Sequence, residues 1–107
     1  MSIKTQTPET KELYRAILML KNEEECRALF EDLCTVAEVQ VMGKRLKAAK
    51  MLATGSKYAD VVKTTRLSTA TISRVNRALK YGSDGYTTIL HRLGVITDET
   101  AANEEEQ

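Results

Sequence analysis

Apolar residues recur at helical rather than strand spacing along almost the whole chain. Thr7-Pro8-Glu9 predicts a helix start, with Thr7 as N-cap and Pro8 in the first turn, where its missing N–H is no loss. Leu13, Ile17 and Leu20, flanked by Tyr14 and Leu18, then form one broad apolar face. Asn22-Glu23-Glu24-Glu25 has the pattern of a capping box, a short polar cap answered three residues on by a glutamate. It opens a second helix striped by Cys26, Leu29, Phe30 and Leu33. Thr35-Val36-Ala37-Glu38 is a cleaner box. It opens a third helix with Val39, Met42, Leu46, Ala49 and Leu52 inward, closed by Gly55. A last helix is expected over 84–93, capped by Gly94. Neither strand-like alternation nor an internal repeat is present, so the pattern predicts an all-α fold.

Composition narrows the class. With 107 residues, 42% of them hydrophobic and 29% charged, the chain reads as one soluble globular domain. The longest apolar run, residues 16–20, is five residues, far short of the ~18 needed to span a bilayer. The first eight residues lack the apolar core of a secretory signal, which points to the cytoplasm. Cys26 and Cys34, eight residues apart in a helical stretch, would lie about 12 Å apart along the axis, too far for a disulfide. One histidine, His91, and no CxxC or HExxH spacing argue against a metal site. Without a nucleophile, metal or phosphate-loop pattern, no catalytic residues, no enzyme activity and no cofactor are expected. His91 is read as a helix-end or interface residue, and Met19, Met42 and Met51 as core.

The net charge of +1 hides a segregation. Residues 1–42 carry a net −3, residues 43–82 a net +9, and residues 83–107 a net −5. The central stretch holds ten basic side chains against Asp60 alone, the footprint of a protein that meets a polyanion. Residues 1–7 are read as a flexible arm, 8–94 as the folded domain, and 95–107 as an acidic disordered tail.

Inside the basic stretch, Val61, Val62, Leu67, Ile72 and Val75 are spaced so that a short helix and a longer one cross steeply, with Leu67 plugging the turn. Ser68 is the natural N-cap of the second helix. Thr69, Ala70, Thr71, Ser73 and Arg74 fill its first turns with small or hydrogen-bonding side chains, which lets that end approach base edges and phosphates. Lys63, Arg66, Arg77 and Lys80 supply phosphate contacts on either side. Arg66 occupies the turn position where glycine is common and φ is positive, at a cost on the order of 1 kcal/mol. The spacing therefore predicts a DNA-binding helix-turn-helix.

These residues, with Met42-Gly43-Lys44-Arg45-Leu46, Leu52-Ala53-Thr54-Gly55 and Ala70-Thr71-Ile72-Ser73-Arg74, resemble the Trp repressor superfamily, in particular its YerC/YecD-type members, over about 13–93. The resemblance implies a six-helix bundle forming an intertwined homodimer that binds a palindromic operator in double-stranded DNA as a transcriptional regulator, a repressor in type. It also implies a corepressor pocket. Arg45 and Arg74 correspond to the two arginines that sandwich an indole ring in the member that senses L-tryptophan, and Thr35 to a threonine at the pocket edge. Val75 stands where that pocket has a glycine, and Ala78 where it has a serine that holds the amino group. Both changes argue against tryptophan, and the effector is left unassigned. The turn is one residue shorter than in the repressor, and Asp60 replaces a base-contacting arginine, so the operator is not carried over. The competing reading is a helical dimer whose basic face binds an acidic protein. No membrane partner is expected.

Overall fold

Side-chain caps at Thr7, Asn22, Thr35 and Ser68 set where four of the helices begin. The computed structural model describes residues 6–97, which hold six helices and no strand. They are α1 (Pro8–Leu18), α2 (Glu23–Leu33), α3 (Val36–Ala53), α4 (Tyr58–Thr65), α5 (Thr69–Tyr81) and α6 (Gly85–Arg92). The expected arm 1–7 lies largely outside the described residues, and Thr7 itself is the N-cap of α1. All but the first three residues of the expected tail 95–107 also lie outside them.

Thr7 accepts the Thr10 N–H at 3.2 Å while the Thr10 hydroxyl accepts the Thr7 N–H at 2.9 Å, closing a box with threonine in the place of glutamate. Asn22 caps Glu25 N–H at 2.9 Å, but the Glu25 carboxylate reaches back to Lys21 N–H at 3.0 Å, one residue earlier than the standard box. The third box closes as expected. Thr35 accepts from Glu38 N–H at 3.1 Å and donates its own N–H to the Glu38 carboxylate at 2.8 Å. Hydrogen bonding of the carboxylate by Thr35, through its backbone N–H foremost and its side chain second, holds the Glu38 pKa below the usual glutamate value.

The chain forms two units, divided within α3 between Val39 and Gln40. In the first, neither α1 nor α2 has a buried residue, despite their apolar stripes. Leu18 is 82% exposed and Leu33 54%. The Arg27–Glu31 pair at 3.1 Å is exposed and one helical turn apart, worth about 0.3–0.5 kcal/mol. Cys26 and Cys34 are free thiols.

The second unit has a core of its own. Ala48, Ala49, Ala53, Val61, Ile72, Val75, Leu90 and Ile96 are buried together, with Met51, Leu52, Leu67 and Tyr86 packed around them. The buried face of α3 is thus made of alanines, which let neighbouring backbone come close, whereas Met42 and Leu46, expected inward, are 39% and 37% exposed. α5 packs against both α4 and α6. Ile96, 6% exposed, extends this core beyond Gly94, past the point where the tail was expected to begin. α6 begins one residue later than the sequence suggests, because Asp84 takes a left-handed conformation (φ 65°) and precedes the helix. Positive φ at Gly55 (92°) and Gly94 (76°) ends α3 and α6.

Candidate nucleic-acid interface

The helix-turn-helix is built by α4, residues 66–68 and α5. Val61 on α4 and Ile72 and Val75 on α5 are buried at the crossing, and Leu67 packs against them from the turn. Arg66 ends α4 in the left-handed region (φ 62°, ψ 17°) with its N–H on the Val62 carbonyl at 2.8 Å. The turn is therefore not reshaped to relieve the arginine. It is held from below by Thr65. That hydroxyl, in a residue only 3% exposed, donates to the Val61 carbonyl at 2.7 Å and accepts the Leu67 N–H at 3.3 Å. Thr65 is the residue that sequence reasoning missed. Its signal, a short β-hydroxyl residue just before the turn, becomes legible only once Arg66 is known to be left-handed.

Ser68 caps α5, accepting the Thr71 N–H at 3.1 Å and donating its own proton to the Thr71 hydroxyl at 3.0 Å. Ile72 N–H goes to the Ser68 carbonyl at 3.0 Å. Ser68 and the half-buried Thr71 thus shape the helix start, and the N–H groups of Thr69 and Ala70 point out of the first turn unbonded.

Beyond the cap, α5 has two faces. Ile72, Val75 and Leu79, three and four residues apart, turn to the core. Ala70, Ser73, Arg74 and Arg77 lie on the other face, all exposed, around a hollow of about 340 Å³. Thr69 and Lys80 on α5, Arg66 in the turn and Lys63 on α4 are exposed as well. Among the described residues the Arg27–Glu31 pair, in the first unit, is the one ion pair, so no carboxylate neutralises these cations. A helix with small side chains at its N-terminal end, free N–H groups and unpaired guanidinium groups fits the ~12 Å wide major groove and its phosphate walls.

The pocket residues are distributed differently. Thr35 belongs to the first unit, where its hydroxyl is committed to the Glu38 N–H. Arg45 and Arg74 are exposed, Val75 is 3% exposed within the core, and Ala78 is half-buried. No cluster of metal-ligating side chains exists among the described residues. Among the described residues no helix is long and apolar enough to cross a membrane.

Comparison with known proteins agrees with this arrangement. The chain is 42% identical over 99 residues to the uncharacterized YerC protein of Bacillus subtilis (strain 168), covering 92% of this chain and 95% of that one. A TrpR-like protein from Eubacterium eligens superposes with a TM-score of 0.84 at 43% identity, over 91% of this chain and all of its own. A Trp repressor-type protein from Staphylococcus aureus also gives a TM-score of 0.84, at 47% identity over 92% of this chain and 99% of its own. The Trp repressor protein family matches residues 8–94, from the first helical residue to the glycine that ends α6. By motif, fold and sequence alike, this chain belongs to the Trp repressor family of helix-turn-helix proteins.

Proposed function

We propose that this chain is a homodimeric, sequence-specific transcriptional regulator that reads duplex DNA through α5, and that L-tryptophan is not its corepressor. The outer face of α5 carries the reading. It sets Ala70, Ser73, Arg74 and Arg77 side by side, exposed and without an acidic partner among the described residues. Thr69, Ala70 and Ser73 read base edges, while Lys63, Arg66, Arg77, Lys80 and the α5 N-terminus hold phosphates. Cytoplasmic placement follows from a chromosomal target.

The dimer is supported by α1 and α2, whose apolar stripes have no buried residue in one chain. A second copy supplies the missing cover and a twofold axis. Two recognition helices then fall about 34 Å apart on a palindromic site. Independence from tryptophan is supported by Val75, whose branched side chain is part of the core, and by Ala78, which offers no hydrogen bond to an ammonium group.

Selection of bound fragments from random duplex DNA tests the central claim. Lys63→Ala and Lys80→Ala should weaken selected and random DNA alike, each lowering the salt slope by about 1. Thr69→Ala and Ser73→Ala should mainly narrow the gap between the two. Equal losses on both DNAs for all four variants overturn a base-reading helix, and retention of acidic proteins but not of duplex DNA points to the protein-interaction alternative. L-tryptophan titrated into the dimer should give no saturable heat. A dissociation constant below about 100 μM shows that the pocket survives.

A further inference from the structure

The polypeptide leaves the second unit at a defined place. Val95 donates its N–H to the Leu90 carbonyl at 3.0 Å, and Ile96 is packed in the core. Val95 also lines a groove of about 360 Å³ in common with Lys47 and Lys50 of α3. Lys47 is shared with an adjoining hollow of about 480 Å³ that Lys44 lines as well. Lys44, Lys47 and Lys50 recur every third residue of α3, a rail about 9 Å long by helical rise. All three are exposed, and none has a carboxylate partner among the described residues.

The sequence that follows is the complement of that rail. Residues 98–107 carry five carboxylates, Asp98, Glu99, Glu104, Glu105 and Glu106, and no basic side chain. Asp98 is two residues from the buried Ile96, so its Cα lies within about 7 Å of that anchor. Glu104, eight residues on, has a reach of up to about 28 Å, ample to pass the far end of the rail. Tethering makes the encounter intramolecular, at an effective concentration in the millimolar range, which lets individually weak exposed ion pairs add up.

We propose that residues 98–107 dock along Lys44, Lys47 and Lys50 of α3 as an intrachain acidic strap that covers part of the second unit's positive charge until nucleic acid displaces it. The docking stands on charge, tether length and the position of Val95. Only its displacement rests on the DNA reading above. The rail, rather than the cations of α5, is the docking surface because it begins in the groove that Val95 itself lines.

The test compares the full chain with a variant in which the five carboxylates are neutralised in place (D98N, E99Q, E104Q, E105Q, E106Q). In DNA-free protein at 50 mM salt, amide shifts between the two should gather on the α3 segment around Lys44, Lys47 and Lys50 and at the end of α6, and vanish at 0.5 M salt. Shifts restricted to residues beyond 97, or centred on α5, overturn the docking. On random duplex DNA the neutralised variant should bind about three- to tenfold tighter, and this gain should disappear when Lys44, Lys47 and Lys50 are also changed to Gln. A gain that persists in full without the rail overturns the strap. If no variant binds DNA, the reading of α5 fails and the DNA-free spectra decide the docking by themselves.

Discussion

The two units of this chain spend similar hydrophobic residues in opposite ways. Both are helical, and both show apolar positions at helical spacing. The second turns Ile72, Val75, Leu90 and Ile96 into a core with the alanines of α3, while the first buries nothing on α1 or α2. The charge differs as well: the first unit carries a net −3, and the second a net +4 made of +9 over 43–82 and −5 over 83–107. The lesson is that amphipathicity measures what a helix can cover, not what covers it. The unit with its own core can hold a reading head stiffly, and the apolar faces of α1 and α2 are left available for assembly.

Ile72→Ala is the most damaging way to probe that division. Ile72 is fully buried at the α4–α5 crossing, and its truncation should cost about 2–5 kcal/mol in urea unfolding. A loss under 1 kcal/mol would show that the second unit is not the stable part. Gly82→Ala should be next in size. A Cβ there would clash with the Ala78 carbonyl oxygen, so the end of α5 must shift, at about 1–3 kcal/mol. Retained thermal stability would break the account of that helix end. Leu18→Asp with Leu33→Asp should hardly change the unfolding of an isolated chain, since both residues are exposed, but should raise the dissociation constant of the proposed dimer about a hundredfold or more in sedimentation. An unchanged association would remove the first unit from assembly. The smallest effect concerns pH. Because the folded state lowers the Glu38 pKa, its contribution is present above the ordinary glutamate value and is lost as pH falls through the lowered one. A carboxyl NMR titration should place its midpoint below that of glutamate in an unfolded reference peptide, and Thr35→Ala should return it only part of the way, because the backbone N–H that is the larger cause remains.

Much of this was legible in the sequence because caps and glycines act locally. Thr7, Asn22, Thr35 and Ser68 each announced a helix that formed, and Ser68 placed the start of the recognition helix. The errors arose where position depends on distant chain. Met42, Leu46 and Ala49 were all assigned inward by helical spacing, yet of the three the core admits Ala49 alone, beside Ala48 and Ala53. Asp84 read as a first helical residue, but its left-handed backbone put it just outside. The face of α5 was visible because a cap fixes helical phase, and phase alone separates Ile72, Val75 and Leu79 from Ser73, Arg74 and Arg77. The pocket residues could not be joined by such reasoning, since Thr35 and the others stand in different units.

The left-handed Arg66 has an evolutionary consequence. Glycine fits φ 62° without the penalty of about 1 kcal/mol that a Cβ carries there, a difference worth several degrees of melting temperature in a domain of this size. Any screen for heat resistance should therefore favour Arg66→Gly early, and would be rewarded each time for deleting a cation at the mouth of the recognition turn. On the DNA reading proposed above, stability and nucleic-acid affinity would be coupled through one codon, in opposite directions. A thermostable descendant of this protein that keeps arginine at this turn would mark the side chain as selected for what it touches rather than for how it folds.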